Sequence, residues 1–207
     1  MKYLTFKNKF KEFPVINLNE VYKIDPAFDR RRLFEWQNYG YLNKIRNGYY
    51  MFSDTEIDEN MLFIIANNIY RHSYVSLESA LGHYNLIPEQ IFATTSVSTK
   101  KRAVFETCEG VFRYHMIKEA LFWGYRIERK GNYRWKIATP EKAIIDYLYL
   151  NPDIKNREDV AGIRINSDVF HDIIELDTLK KYSALAGNQR VKRCLRHLLK
   201  EVENAQY

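Results

Sequence analysis

Three consecutive arginines, Arg30, Arg31 and Arg32, stand near the amino end of this chain, followed by Phe34, Gln37 and Asn38 and then by Lys44, Arg46 and Asn47. These are residue types that read duplex nucleic acid. A guanidinium matches the guanine edge or grips a phosphate, a carboxamide matches adenine, and an aromatic ring meets a thymine methyl. On a helix spanning 29–39, Leu33 and Trp36 share a buried stripe while Arg31, Phe34 and Asn38 fall on the opposite face, flanked by Arg30, Arg32 and Gln37. The wheel gives base edges to Arg31 and Asn38, a thymine methyl to Phe34, and phosphates to Arg30 and Arg32.

The elements that must hold these residues follow from the neighbouring sequence. Gly40 ends the helix by taking a left-handed conformation without steric cost. Residues 41–46 run into Asn47-Gly48, a pair that tolerates the positive dihedrals of a tight hairpin, and 49–52 return as its second strand. Lys44 and Arg46 then lie on the incoming strand and Asn47 at the tip, within reach of the DNA backbone or minor groove. Upstream, the pattern predicts a helix over 3–12, an extended Phe13-Pro14-Val15, and a second helix over 18–24 capped by Asn17, with Asp25-Pro26 as the turn. Helix, turn, reading helix and hairpin in that order predict a winged helix-turn-helix over 1–54, bounded by the polar stretch Ser53-Asp54-Thr55-Glu56.

Residues 55–207 read as an α+β domain. A helix is predicted over 58–70, a short strand at 74–75, and a helix over 76–84 opened by Ser76. Strands follow over 91–98, 102–107 and 111–116, and a further pair over 125–128 and 133–137, making an antiparallel sheet. Thr139-Pro140 opens a helix to residue 150, since threonine caps and proline suits the first helical position. Helices over 177–186 and 188–204 complete the chain.

Charge is unevenly distributed along the 207 residues. Residues 1–52 carry ten Lys or Arg against five Asp or Glu, 53–176 carry fifteen against eighteen, and 177–207 carry seven against three. Two basic ends around a slightly acidic middle suit phosphate contact at defined surfaces. In the last helix Val191, Cys194, Leu195, Leu198 and Val202 form an apolar stripe, leaving Arg193, Arg196 and Lys200 together outside, as a second basic surface or a solvated face. The first apolar stretch is broken by Lys2, Lys7, Lys9 and Lys11, and the longest pure apolar run, 61–66, is far below the roughly 20 residues of a membrane span. A cytoplasmic protein without a membrane partner is expected, with Cys108 and Cys194 as thiols.

For catalysis the residues offer little. The eight glycines form no phosphate-cradling loop, and no Gly-x-Ser-x-Gly or His-Glu-x-x-His motif occurs. Cys194 and His197 sit one turn apart with no second ligand pair, so no metal and no cofactor are expected. Glu78, Glu141 and Asp146 are the carboxylates that a metal-dependent nuclease would recruit, but Glu141 falls where a helix N-terminus favours negative charge and Asp146 on another face of that helix. Most of the aromatic residues, among them Tyr49, Tyr50, Phe52, Phe105, Phe112, Tyr114, Tyr147 and Tyr149, follow strand or helix spacing and are expected to pack rather than stack on bases.

Segments 13–15, 29–36, 44–50, 74–81 and 138–146, in this order and spacing, resemble the AbiEi family of antitoxins from type IV toxin-antitoxin systems. The resemblance spans about residues 10 to 150 and fades beyond. It implies a winged-helix domain that represses the protein's own operon at double-stranded operator DNA, typically an inverted repeat, and a second domain that counteracts a cognate nucleotidyltransferase-like toxin without a stable complex. Two other readings compete: a metal-dependent nuclease acting through Glu78, Glu141 and Asp146, and a plain winged-helix transcription factor whose second domain senses a ligand or mediates oligomerisation.

Overall fold

A computed structural model describes residues 1–89 and 92–204. The amino-terminal part consists of α1 (Tyr3–Phe10), β1 (Ile16–Asn17), α2 (Leu18–Ile24), α3 (Arg31–Asn38), β2 (Leu42–Arg46) and β3 (Tyr49–Phe52). β3 lies between β1 and β2 and is antiparallel to both. α1 is shorter than expected because Phe13 precedes Pro14, and a residue before proline is driven out of the helical region. Phe6, Phe10, Phe28, Leu33, Trp36 and Phe52 close a core of their own, with the Phe6 and Trp36 rings 4.7 Å apart. Rings at such spacing add about 0.5–1.5 kcal/mol per pair beyond the area they bury.

The remainder is mixed α and β: α4 (Glu59–Ile69), β4 (Ser73–Val75), α5 (Glu78–His83), β5 (Ala93–Ser98), β6 (Ala103–Thr107), β7 (Gly110–Met116), β8 (Tyr125–Lys130), β9 (Tyr133–Ala138), α6 (Pro140–Leu150), α7 (Arg157–Ala161), α8 (Ser167–Ile173), α9 (Leu176–Leu185) and α10 (Gln189–Asn204). Its six-stranded sheet has the order β6-β7-β5-β4-β9-β8. The sheet is mixed, which corrects the antiparallel expectation: β5 pairs with β7 and β4 with β9 in parallel. After β5 the chain moves to the outer edge as β6 and turns back to place β7 between them, so β7 runs with β5.

Several local expectations change for physical reasons. α5 starts at Glu78 because Leu77 adopts φ 59°, and Ser76 does not cap it: its hydroxyl donates to Asp146 Oδ2 at 2.9 Å. The strand expected from residue 91 begins at Ala93, and Ile91 lies outside the described residues. α7 and α8 were not expected, being too short for a periodic apolar pattern, yet both carry side-chain caps, Asn156 with Asp159 in a reciprocal capping box and Asn166 on Val169. By contrast, Thr139 caps α6 and Pro140 opens it as anticipated.

Two buried clusters divide the molecule unevenly. The smaller uses residues 6–52 alone, but the larger includes Val15, Ile45 and Met51 together with the sheet and helices that follow. The register of β2 shifts between Lys44 and Arg46, and this irregularity accompanies Ile45 being buried in the larger cluster. Asn43 Nδ2 also donates to Glu109 Oε1 at 2.8 Å, bonding β2 to the turn before β7.

Candidate nucleic-acid interface

α3 is fixed at both ends. Asp29 Oδ1 accepts the Arg31 N–H at 3.0 Å, satisfying a donor of the first turn. At the other end Gly40 takes φ 69°, the Tyr41 N–H reaches Trp36 O at 2.8 Å, and the Gly40 N–H reaches Gln37 O at 2.9 Å. This pair of bonds is a Schellman motif, which stops the helix and turns the chain into β2. Leu33 and Trp36 anchor the inner face at 1% and 4% exposure.

The outer face presents Arg31, Phe34 and Asn38 to solvent, with Phe34 67% exposed. Arg30 is exposed and its Nη2 donates to Asn47 Oδ1 at 3.1 Å, so the start of α3 is bonded to the tip of the hairpin. Arg32 is exposed and paired with Glu35 at 3.0 Å. Lys44 is exposed on β2.

Two of the expected contact residues are placed differently. Arg46 turns towards the larger core cluster: its Nη1 donates to Ile69 O at 2.7 Å, and its guanidinium lies over Phe105 at 4.2 Å and Tyr49 at 5.3 Å. The carbonyl at the C-terminal end of α4 and an aromatic face both favour a cation here. Gln37 is half-buried and its Nε2 donates to Leu33 O at 2.7 Å, so its carboxamide is engaged by its own helix.

Sequence reading overlooked Tyr39 and Tyr41. They are 69% and 43% exposed at the end of α3, and Tyr41 stacks on Tyr3 with ring centroids 4.5 Å apart. The signal was their position either side of Gly40, where the Schellman turn swings neighbouring side chains outward. The aromatics expected to pack do so: Tyr50, Phe52, Phe112 and Tyr114 are buried, and Tyr49, Phe105, Tyr147 and Tyr149 are half-buried.

On α10 the apolar stripe of Val191, Cys194, Leu195, Leu198 and Val202 is buried and Arg193, Arg196 and Lys200 are exposed. The Cys194 thiol donates to Ile154 O at 3.3 Å. Arg190, unremarked in the sequence, caps α6: its two terminal nitrogens donate to the carbonyls of Leu148, Tyr149, Asn151 and Ile154 at 2.7–3.1 Å.

Of the carboxylates considered for metal chemistry, Asp146 and Glu141 are engaged by other groups, whereas the buried Glu78 Oε2 has no hydrogen-bond partner among the described residues. Asp146, fully buried, accepts from Tyr74 OH at 2.8 Å, from Ser76 and from Lys142 Nζ, which also lies 4.4 Å from the Trp123 ring centroid. Burial pushes the Asp146 carboxyl up despite the opposing pull of Lys142, and it pushes the Tyr74 phenol well up, with the nearby carboxylate adding to the effect. Glu141 Oε1 accepts the Glu175 N–H at 3.1 Å. Among the described residues no three His, Cys, Asp or Glu side chains gather as a metal ion would require, and no helix is long and apolar enough to cross a membrane. No protein-family model and no curated protein matches the chain.

Proposed function

We propose that this chain is a DNA-binding antitoxin and transcriptional autorepressor, with residues 1–54 acting as a winged helix-turn-helix and the α+β remainder opposing a nucleotidyltransferase-like toxin. The observation that carries the DNA half is α3 itself: a helix anchored by Leu33 and Trp36, stopped by Gly40, and tied through Arg30 to the hairpin tip, while Arg31, Phe34 and Asn38 face solvent. In this reading α3 enters the major groove, Arg31 and Asn38 read bases, Arg30 and Arg32 hold phosphates, and Lys44 with Asn47 reaches the backbone beside it. Arg46 serves the protein rather than the DNA. The antitoxin half rests on the family resemblance alone.

Duplex fragments from upstream of the gene test the first half, titrated at several salt concentrations against an unrelated duplex. Preferential binding that weakens steeply with salt is expected, because each neutralised phosphate releases counterions. Equal affinity for both duplexes, or none, overturns it. Co-expression with the neighbouring gene product tests the second: a neighbour toxic alone and harmless beside this chain is the expected result.

A further inference from the structure

Away from α3, a cleft of about 490 Å³ lies between the turn after α4 and the first half of β9. β4 meets β9 at one register position, Val75 with Ile137, so β9 ahead of Ile137 has no strand partner on that side. Asn67 fills part of the gap, its Oδ1 accepting the Lys136 N–H at 2.7 Å and its Nδ2 donating to the Lys136 carbonyl at 3.4 Å. Arg71, His72, Arg134 and Lys136 supply basic groups to the lining and the exposed Ile127 supplies apolar surface; no carboxylate is among the lining residues, though Arg71 Nη2 lies 3.8 Å from Glu20 Oε1.

Two local costs meet at this cleft, and a third lies behind it on the core side of β9. Arg134 stands directly opposite Arg129 across β8 and β9, both are exposed, and among the described residues neither meets a carboxylate within ion-pair distance. Like charges so opposed destabilise a sheet. Trp135 is 5% exposed, yet its indole N–H has no acceptor among the described residues. His72 holds φ 64°, a left-handed conformation that L side chains rarely adopt. A cation without a carboxylate partner, Arg134, beside a strained wall residue is a feature of a site organised for an anion. Guanidinium forks match phosphate oxygens in pairs, and the volume lies within the roughly 300–1,000 Å³ typical of small-molecule pockets.

We propose that this cleft binds a phosphate-bearing small molecule of nucleotide size, its phosphates on Arg134 and Arg71 and its uncharged part against Ile127. This site is independent of the DNA-reading proposal. Calorimetric titration of the full chain with inorganic pyrophosphate and with a nucleoside triphosphate, near physiological ionic strength, tests it. Both probes are expected to bind, the nucleotide at least tenfold more tightly, and Arg134→Ala is expected to weaken both at least tenfold. Arg71→Ala provides a second variant, and the melting temperature of each establishes that it is folded. Absence of binding by either probe, affinities unchanged in both folded variants, or a nucleotide bound no better than pyrophosphate overturns the proposal. Duplex binding measured on Arg134→Ala is expected to match that of the unaltered chain, so the two proposals fail separately.

Discussion

Two arginines fifteen positions apart in sequence have opposite surroundings, and their variants separate the roles proposed for them. Arg31 is exposed on the outer face of α3 without a carboxylate partner among the described ion pairs. Arg31→Ala is expected to leave the melting temperature unchanged and to weaken specific duplex binding by about 1–3 kcal/mol, read by anisotropy titration. Arg46 is held by Ile69 O and two aromatic rings. Its replacement by alanine is expected to cost roughly 2 kcal/mol of folding stability, since a charged hydrogen bond and a cation–π contact are lost together; chemical denaturation measures this. A variant that binds DNA poorly but is fully stable would reverse the assignment of Arg46. Tyr84 provides a pH handle. Its hydroxyl donates to Ala138 O at 2.7 Å, and burial pushes its pKa from 10.0 up to about 12. The protonated phenol is therefore favoured in the folded state, so its contribution is fully present below pH 10.0 and is lost as the pH rises towards about 12. Stability measured across that window is expected to fall, and Tyr84→Phe to flatten part of the decline. An unchanged slope in the variant would place the alkaline sensitivity elsewhere.

At the level of elements, α3 and the hairpin are set by short-range signals that the sequence displays openly. The two Schellman bonds depend on Gly40 at φ 69°, and a Cβ built there meets nothing within 4 Å. Gly40→Ala is thus expected to cost only the left-handed penalty, about 1–2 kcal/mol, seen as a lower denaturation midpoint with little structural change. A far larger loss would mean that the turn orients more than α3. In the hairpin, Gly48 alone of the Asn47-Gly48 pair takes positive φ, at 81°. The Asn47 side chain instead serves Arg30, so the tip is fixed by a side-chain bond as well as by the turn. Strand direction was less legible. β6 and β7 read locally as a hairpin and are one, but whether β7 then lies beside β5 in parallel is a choice between edges that periodicity does not encode.

For the molecule as a whole, the charge change near Ser53 implied two separable parts, and the aromatic core formed by residues 6–52 has the composition such a split requires. The packing couples them more tightly. Val15, Ile45 and Met51 are buried in the larger cluster, Arg46 stacks on Phe105, and Asn43 bonds Glu109. Each fully buried aliphatic side chain contributes about 1.5–3 kcal/mol. A fragment of residues 55–207 is therefore expected to melt well below the full chain, or to aggregate through the surface left uncovered. A fragment as stable as the full chain, by calorimetry, would show that these contacts add nothing.

The residues alone determined the elements whose causes lie within a few positions: Asn17 and Thr139 as caps, Gly40 as a stop, the buried pair Leu33 and Trp36, and the outward set around Arg31. Tertiary structure decided what depends on distant partners. It drew Arg46 inward because Ile69 and Phe105 are brought beside it, engaged Ser76 and Asp146 with each other across 70 positions, and placed Arg71 and Arg134 at a shared cleft. A local signal acts through backbone dihedrals and periodicity, whereas the fate of a long polar side chain is set by whichever acceptor or ring the folded chain brings within reach.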